Sequence, residues 1–325
     1  MITHLRHRRA ALFACVLATA CGPVAAQNFP LKAVSMIIPF PAGGAVDIVC
    51  RTLAQRMSEI WKQPVTVLNR PGAGGNIGVE SVVRAPADGY TVLCASTALS
   101  INPALTQKPP YDVMRDLIPV SQLVVTPNVL VVHPSVPARN VRELSAIAKS
   151  RPDGLTGGSA GSGTSAHLSL ELYKSIAAVK IVHVPYKGSA PSLIGVVGGE
   201  TDLAFLPTSV VNPHVAAGKL RALAVSTAKR SVTLPQVPTM DEAGVKGYEA
   251  AAWSALLAPA GTPPAVINAL YAGVVESFKS PGVQSAFAKI GGEPIASSPD
   301  VFARYLEREI AKWRKVVKAA GIQPE

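Results

Sequence analysis

The sequence predicts an α/β protein of two doubly wound lobes, and three observations carry that expectation. First, a glycine-rich strand-to-helix turn occurs in each half, at residues 37–47 (IIPFPAGGAVD) and 154–167 (GLTGGSAGSGTSAH). Second, the apolar patterns around each turn alternate strand and helix, the order of a parallel sheet with helical crossovers. Third, 325 residues are more than one simple core usually holds. Such a turn leaves backbone N–H groups unpaired at a helix N-terminus, where an anion can sit. One in each lobe suggests a cleft that holds a small acid.

The elements follow in order. Residues 1–26 read as a signal peptide: His4, Arg6, His7, Arg8 and Arg9 form a basic start, residues 10–20 are apolar, and Val24-Ala25-Ala26 offers small residues for cleavage. The apolar run is too short to span a membrane. Ala18-Thr19-Ala20-Cys21 loosely matches a lipoprotein signal but lacks the usual leucine, so anchoring at Cys21 is the lesser expectation. Residues 34–40 (VSMIIPF) read as a buried strand. A helix follows over 45–61, with Val49, Leu53 and Met57 on one face. Residues 65–69 form a second strand, 77–84 a short helix, and 90–95 a third strand after the turn Ala87-Asp88-Gly89.

The second half repeats the plan. A strand ends at Ser159, and a helix opens at Thr164 with Leu168, Leu172 and Ile176 on one face. A strand spans 181–184, a helix 189–197 and a strand 203–206. Residues 120–133 and 220–227 read as extended, the pair a two-strand hinge would use. From about residue 228 the chain rejoins the first lobe. The expected division is therefore 27–126 with 228–325 for lobe 1, and 127–227 for lobe 2. The last helix starts at Ser298-Pro299-Asp300, carries Phe302, Leu306, Ile310, Trp313 and Val317 on one stripe, and ends at Gly321.

The net charge is +11, and loss of the leader removes three arginines and no acid, leaving +8. That balance fits a solvated surface or the steering of anionic ligands. No dense Lys/Arg run with interleaved aromatics points to nucleic acid. Cys50 and Cys94 remain after the leader, without metal-ligand spacing. An exported chain permits a bond between them; two separate buried thiols are the alternative. No metal or cofactor is expected.

The first loop has no lysine after its glycines, so it is not a phosphate loop of the Walker type, and Gly72, Gly74 and Gly78 miss the dinucleotide spacing by one residue. Gly157-Gly158-Ser159-Ala160-Gly161 matches the G-x-S-x-G elbow of α/β-hydrolases, and Asp202 and His214 follow in that order. Against an esterase, the glycines run on to Gly163 as a broad anion nest, and His214 follows a proline with no oxyanion segment upstream. The chain is not expected to be an enzyme. Asp47, in the first turn of its helix, either complements the helix dipole or partners a ligand. His167 either donates to a ligand or ties the glycine loop down. Asp202 has a structural and a ligand-contacting reading. Lys187, after a strand at the end where ligands bind such sheets, is expected at the rim.

PFPAGGAVD, NRPGAGGNIG, ADGYTVL, GSAGSGTSAHLSLELYK, HVPYKGSAPS, LRALAVST, LPQVPTMDEAG and APAGTP, in that order, resemble the substrate-binding proteins of tripartite tricarboxylate transporters, the Bug receptors. The resemblance covers essentially the whole mature chain. It implies a periplasmic binding protein of type II, a monomer whose lobes close on a small organic acid and deliver it to a membrane permease. Di- and tricarboxylates, acidic amino acids and aromatic acids are the implied ligands. Phe40, Ala42, Gly43, Gly44 and Asp47 would line one wall, joined by Ser96 and Thr97. Ser159, Gly161, Thr164 and His167 would line the other, with Asp202 toward the hinge. The family usually has Thr or Ser before the aspartate; this chain has Val46, which favours less polar acids. Two rivals are an esterase-like hydrolase using Ser159 and an orphan receptor serving a sensor.

Overall fold

The structure, a computed structural model, describes residues 29–321. The signal peptide, its cleavage near Ala26 and the Cys21 alternative lie outside the described residues.

The chain begins β1 (Val34–Ile38), α1 (Ala45–Trp61), β2 (Val65–Asn69), α2 (Asn76–Val83), β3 (Thr91–Ser96), α3 (Ala98–Leu105), α4 (Val113–Asp116) and β4 (Leu117–Val132). It continues α5 (Val141–Ser150), β5 (Leu155–Ser159), α6 (Ser165–Ala177), β6 (Ile181–Pro185), α7 (Ser189–Val197), β7 (Leu203–Pro207), α8 (Thr208–Ala216) and β8 (Arg221–Val225). It closes with β9 (Ala251–Pro259), α9 (Pro264–Phe278), α10 (Pro281–Lys289), β10 (Glu293–Pro294) and α11 (Pro299–Ala319).

Two sheets share one long strand. The first runs β2-β1-β3-β9-β4, with β10 on β4; the second runs β4-β7-β5-β6, with β8 on β4. In each, three parallel strands meet one antiparallel strand: β2, β1 and β3 meet β9, and β6, β5 and β7 meet β4. This is the two-lobed plan expected from the repeated element order. Parallel strands place their C-terminal ends, and the turns leaving them, on one side of each sheet.

The helix faces pack as their spacing demands. Val49, Leu53 and Met57 of α1 are buried with Met36 and Ile38 of β1 and with Leu270 and Val274 of α9. Each such side chain contributes about 1.5–3 kcal/mol on burial. Helix α11 spans both lobes. Its Phe302, Leu306 and Ile310 join Leu93, Ala95 and Trp253, while Trp313, Val316 and Val317 join Leu168, Tyr173 and Phe205. Cys50 of α1 and Cys94 of β3 form a disulfide, with Cα atoms 6.2 Å apart. The bond settles the alternative that the sequence left open.

The crossing between sheets differs from the expected one. β4 pairs with β9 through Pro127 and with β7 from Asn128 onward. Residues 220–227 do not carry the return: β8 pairs with β4 inside the second sheet. Met240, Val245, Tyr248 and Ala250 then pack in the second core, and β9 opens at Ala251 opposite Pro127. Ser226 clasps this point. Its N–H donates to Asn128 O, its Oγ accepts from Asn128 N, and its O accepts from Ala250 N. Strand β9 (AAWSALLAP) was not anticipated, because a continuous apolar run lacks the alternation that marks a strand.

Candidate functional site

The first wall gathers at the C-terminal ends of β1, β2 and β3. Gly43 turns the loop at a φ of +90°, which a residue with a side chain rarely adopts. Gly44 is the N-cap of α1 and offers no side-chain cap. Ala42, Gly43 and Gly44 are exposed, and a side chain at either glycine would meet nothing within 4 Å. Open space therefore stands over the first turn of α1. Phe40, half-buried after β1, brings the end of its ring beside Gly75.

Asp47 is only 4 % exposed, and its carboxylate is fully engaged by the protein. Oδ2 accepts from Gly43 N at 3.0 Å and Arg51 Nε at 3.1 Å; Oδ1 accepts from Arg51 Nη2 at 2.7 Å and Asn69 Nδ2 at 2.9 Å. The Arg51 hydrogen bond leads in holding its pKa down to about 2, with Asn69 and Gly43 adding to it against the cost of burial. This carboxylate shapes the loop; it has no free lone pair directed outward.

At the end of β3, Ser96 Oγ accepts from Ala98 N at 3.3 Å, and buried Thr97 accepts from Trp253 N at 2.9 Å. They set the start of α3, which lies between the two walls. Asn102 Nδ2 donates to Gly74 O and to Asn76 Oδ1, both at 3.0 Å, fixing the turn after β2. At the far end of α3, Leu105 Cδ1 lies 3.5 Å from where a Gly163 side chain would begin.

The second wall gathers at the ends of β5 and β6. Gly161 and Gly163 adopt φ of +125° and +76°, so the turn needs glycine at both. Thr164 caps α6: Oγ1 accepts from His167 N at 3.3 Å and donates to Gly161 O at 2.7 Å. Gly161 N donates to Ser159 Oγ, and Gly163 N donates to His167 Nδ1, each at 3.1 Å. These two amides thus serve the loop itself. Among the described residues, the N–H groups of Ser165 and Ala166 at the start of α6 have no backbone acceptor.

Beneath this loop lies a residue the sequence reading did not single out. His183 Nε2 sits 2.7 Å from Ser159 Oγ, and its ring stacks on His167 at 3.9 Å with 17° between planes. Burial lowers both pKa values to about 4, helped at His167 by Lys174 and at His183 by His167. The available signal was register: His183 stands beside Gly157 on the neighbouring parallel strand.

Asp202 is not brought to this end. Its Oδ2 accepts from Thr156 N at 2.8 Å and Thr156 Oγ1 at 3.0 Å, and Arg151 lies 3.5 Å from Oδ1. Thr156 is the second residue of β5 and Ser159 its last, about 10 Å apart along the strand. The hydrolase order Ser159, Asp202, His214 is therefore not assembled. Among the described residues, Ser159 Oγ bonds to His183 and Gly161, not His214. Lys187 is exposed. Among the described residues, no cluster of three His, Cys, Asp or Glu could hold a metal, and no helix is long and apolar enough to cross a membrane.

A family model described as a tripartite tricarboxylate transporter family receptor matches residues 49–322. The chain is 37% identical over 320 residues to Protein BugT of Bordetella pertussis, covering 97% of this chain and 98% of BugT. It is similar to a solved R. palustris protein with adipate, at a TM-score of 0.74 and 38% identity, covering 91% of this chain and 100% of that one. It is also similar to MatC from Rhodopseudomonas palustris with bound malate, at a TM-score of 0.71 and 30% identity, covering 89% and 100%.

Proposed function

The chain belongs to the tripartite tricarboxylate transporter receptor family, and from that premise we propose that it captures a small dicarboxylate between its two walls. Members of the family are solute-binding receptors that feed a membrane permease, and they are periplasmic binding proteins. The finer reading is that residues 1–26 are cleaved near Ala26 and that the mature chain works as a monomer. The Cys50–Cys94 disulfide supports an oxidising compartment.

One observation carries the ligand reading. The α6 helix starts with amides at Ser165 and Ala166 that have no backbone acceptor, and open space stands over the uncapped start of α1. One carboxylate docks on the Ser165 and Ala166 amides that the Thr164 cap presents, and the second reaches toward the 42–45 turn. Each helix start offers about half a positive charge, and each charge-assisted hydrogen bond contributes about 1.5–3 kcal/mol. A few of them reach micromolar affinity, about 8 kcal/mol. The similar proteins with adipate and malate make the dicarboxylates the first class to test.

Phe40, Ala42, Gly43, Gly44, Ser96, Gly161 and Thr164 are proposed to face the ligand. Asp47, Thr97, Ser159 and His167 are proposed to act through the loops they hold. Asp202 is proposed to hold the start of β5 through Thr156 and not to touch the ligand. The lobes are proposed to divide at residues 127–128 and 250–251, where β4 changes partner and β9 opens. Closure about those two points traps the acid and bridging waters.

Native mass spectrometry of the periplasmic protein, before and after denaturing release, tests this. A dicarboxylate released from the parent chain and absent from a folded Thr164→Leu variant supports the reading. Equal occupancy of both proteins refutes the proposed pocket.

A further inference from the structure

We propose that His183 and His167 act as one positioning unit, a stacked pair of neutral imidazoles that holds the Gly161–Gly163 turn in its anion-binding shape. This rests on the carboxylate reading above and adds a residue, His183, that the site description otherwise leaves unexplained.

The geometry is specific. Gly163 N donates to His167 Nδ1 at 3.1 Å, so Nδ1 must carry a lone pair and the proton sits on Nε2. Ser159 Oγ accepts from Gly161 N at 3.1 Å and shares a hydrogen bond with His183 Nε2 at 2.7 Å. Each glycine amide is thus held by one member of the pair, directly or through Ser159. The rings stack at 3.9 Å, so neither can swing without disturbing the other. With these amides drawn inward, the turn's remaining donors are the ones left for a ligand.

Protonation breaks the unit. A proton on His167 Nδ1 would set one N–H against another, and the Gly163 bond would be lost. A second charge on His183 would stack cation on cation. The charged groups of α6 that face the pair are Glu171 and Lys174: Glu171 Oε1 lies 3.7 Å from His167 Nε2 and 2.7 Å from Lys174 Nζ. β5 holds no ionisable residue, β6 only His183, and α3 none. α11 brings Arg308, Lys312 and Lys315 beside Leu172 and Ser175, further along α6. Glu171 is held by Lys174 and is a poor counter-charge for a protonated pair, while burial supports the neutral state of both rings.

NMR on the ligand-free protein tests the proposal without knowing the ligand. In the parent protein, the Gly163 amide resonance is expected to move on the same pH curve as the His167 imidazole. In His183→Ala, exchange of the Gly161 and Gly163 amides is expected to accelerate at least tenfold, and His167 to titrate closer to the ordinary histidine value. His183→Gln, whose amide can still donate to Ser159 Oγ, is expected to restore protection at Gly161. Unchanged protection in His183→Ala, or a Gly163 amide indifferent to the His167 titration, overturns it. If His183→Ala does not fold, the parent titration and His183→Gln decide. Carboxylate binding by the parent protein is measured separately, so failure here leaves that reading standing.

Discussion

Asp47 shows how far a single residue's role depends on distant partners. Its place in the first turn of α1 was legible, and so was its value to the helix dipole. Asn69 and the Gly43 amide, which complete its shell with Arg51, come from outside the helix, so its saturation was not legible. Asp47→Asn is expected to cost about 1–3 kcal/mol of stability in urea unfolding, because charge-assisted bonds to Arg51 are lost. The two histidines set the acid limit. Their folded pKa values of about 4 lie below the ordinary 6.5, so the unfolded chain binds more protons between those values. Stability is fully present above pH 6.5 and falls as pH drops toward 4. Denaturation curves at pH 7.5 and 5 check this; a His167→Gln/His183→Gln double variant is expected to flatten that slope. The Asp202 placement was open to better reading. A residue just before a strand lies at its N-terminal end, and ligands bind parallel sheets at the other.

The elements that carry a clear period were the ones read correctly. The 45–61 helix, the 65–69 strand and the α11 stripe all rest on local apolar spacing or turn chemistry, which needs no knowledge of the fold. β9 and the return crossing failed because burial on both faces erases alternation, and because partner choice between β4, β8 and β9 is long-range. The disulfide belongs to this scale as well. It ties α1, which carries the first loop, to β3, which ends at Ser96. Its sequence separation of 44 residues corresponds to about 4 kcal/mol of loop-closure entropy. A Cys50→Ala/Cys94→Ala variant is expected to lose about 2–4 kcal/mol in urea unfolding. A loss below about 0.5 kcal/mol, a quarter or less of the smallest value a native disulfide typically gives, would show that packing alone holds α1 on the sheet.

At the scale of the whole molecule, the two proposed half-sites, one on each sheet, become one site only if the lobes move together. β4 and the β9 start form the two strand crossings, clasped by Ser226, while α11 packs in both cores. The lobed plan was legible from the repeated order of elements, and the family from motifs spread along the chain; the opening of β9 at Ala251 opposite Pro127 was not. Small-angle scattering is expected to show a smaller radius of gyration when a bound acid is added, and no change in a folded Thr164→Leu variant.

The most direct measurement is a thermal-shift screen on protein unfolded and refolded to strip any carried ligand. The panel holds adipate, malate, tricarboxylates, acidic amino acids, aromatic acids and the uncharged diamide of adipic acid. A ligand at 100 times its Kd adds about 2.7 kcal/mol, or several degrees at roughly 2–4 °C per kcal/mol. Such a shift is expected with a dicarboxylate and none with the diamide. An equal shift with the diamide, or no shift with any acid, would contradict dicarboxylate capture.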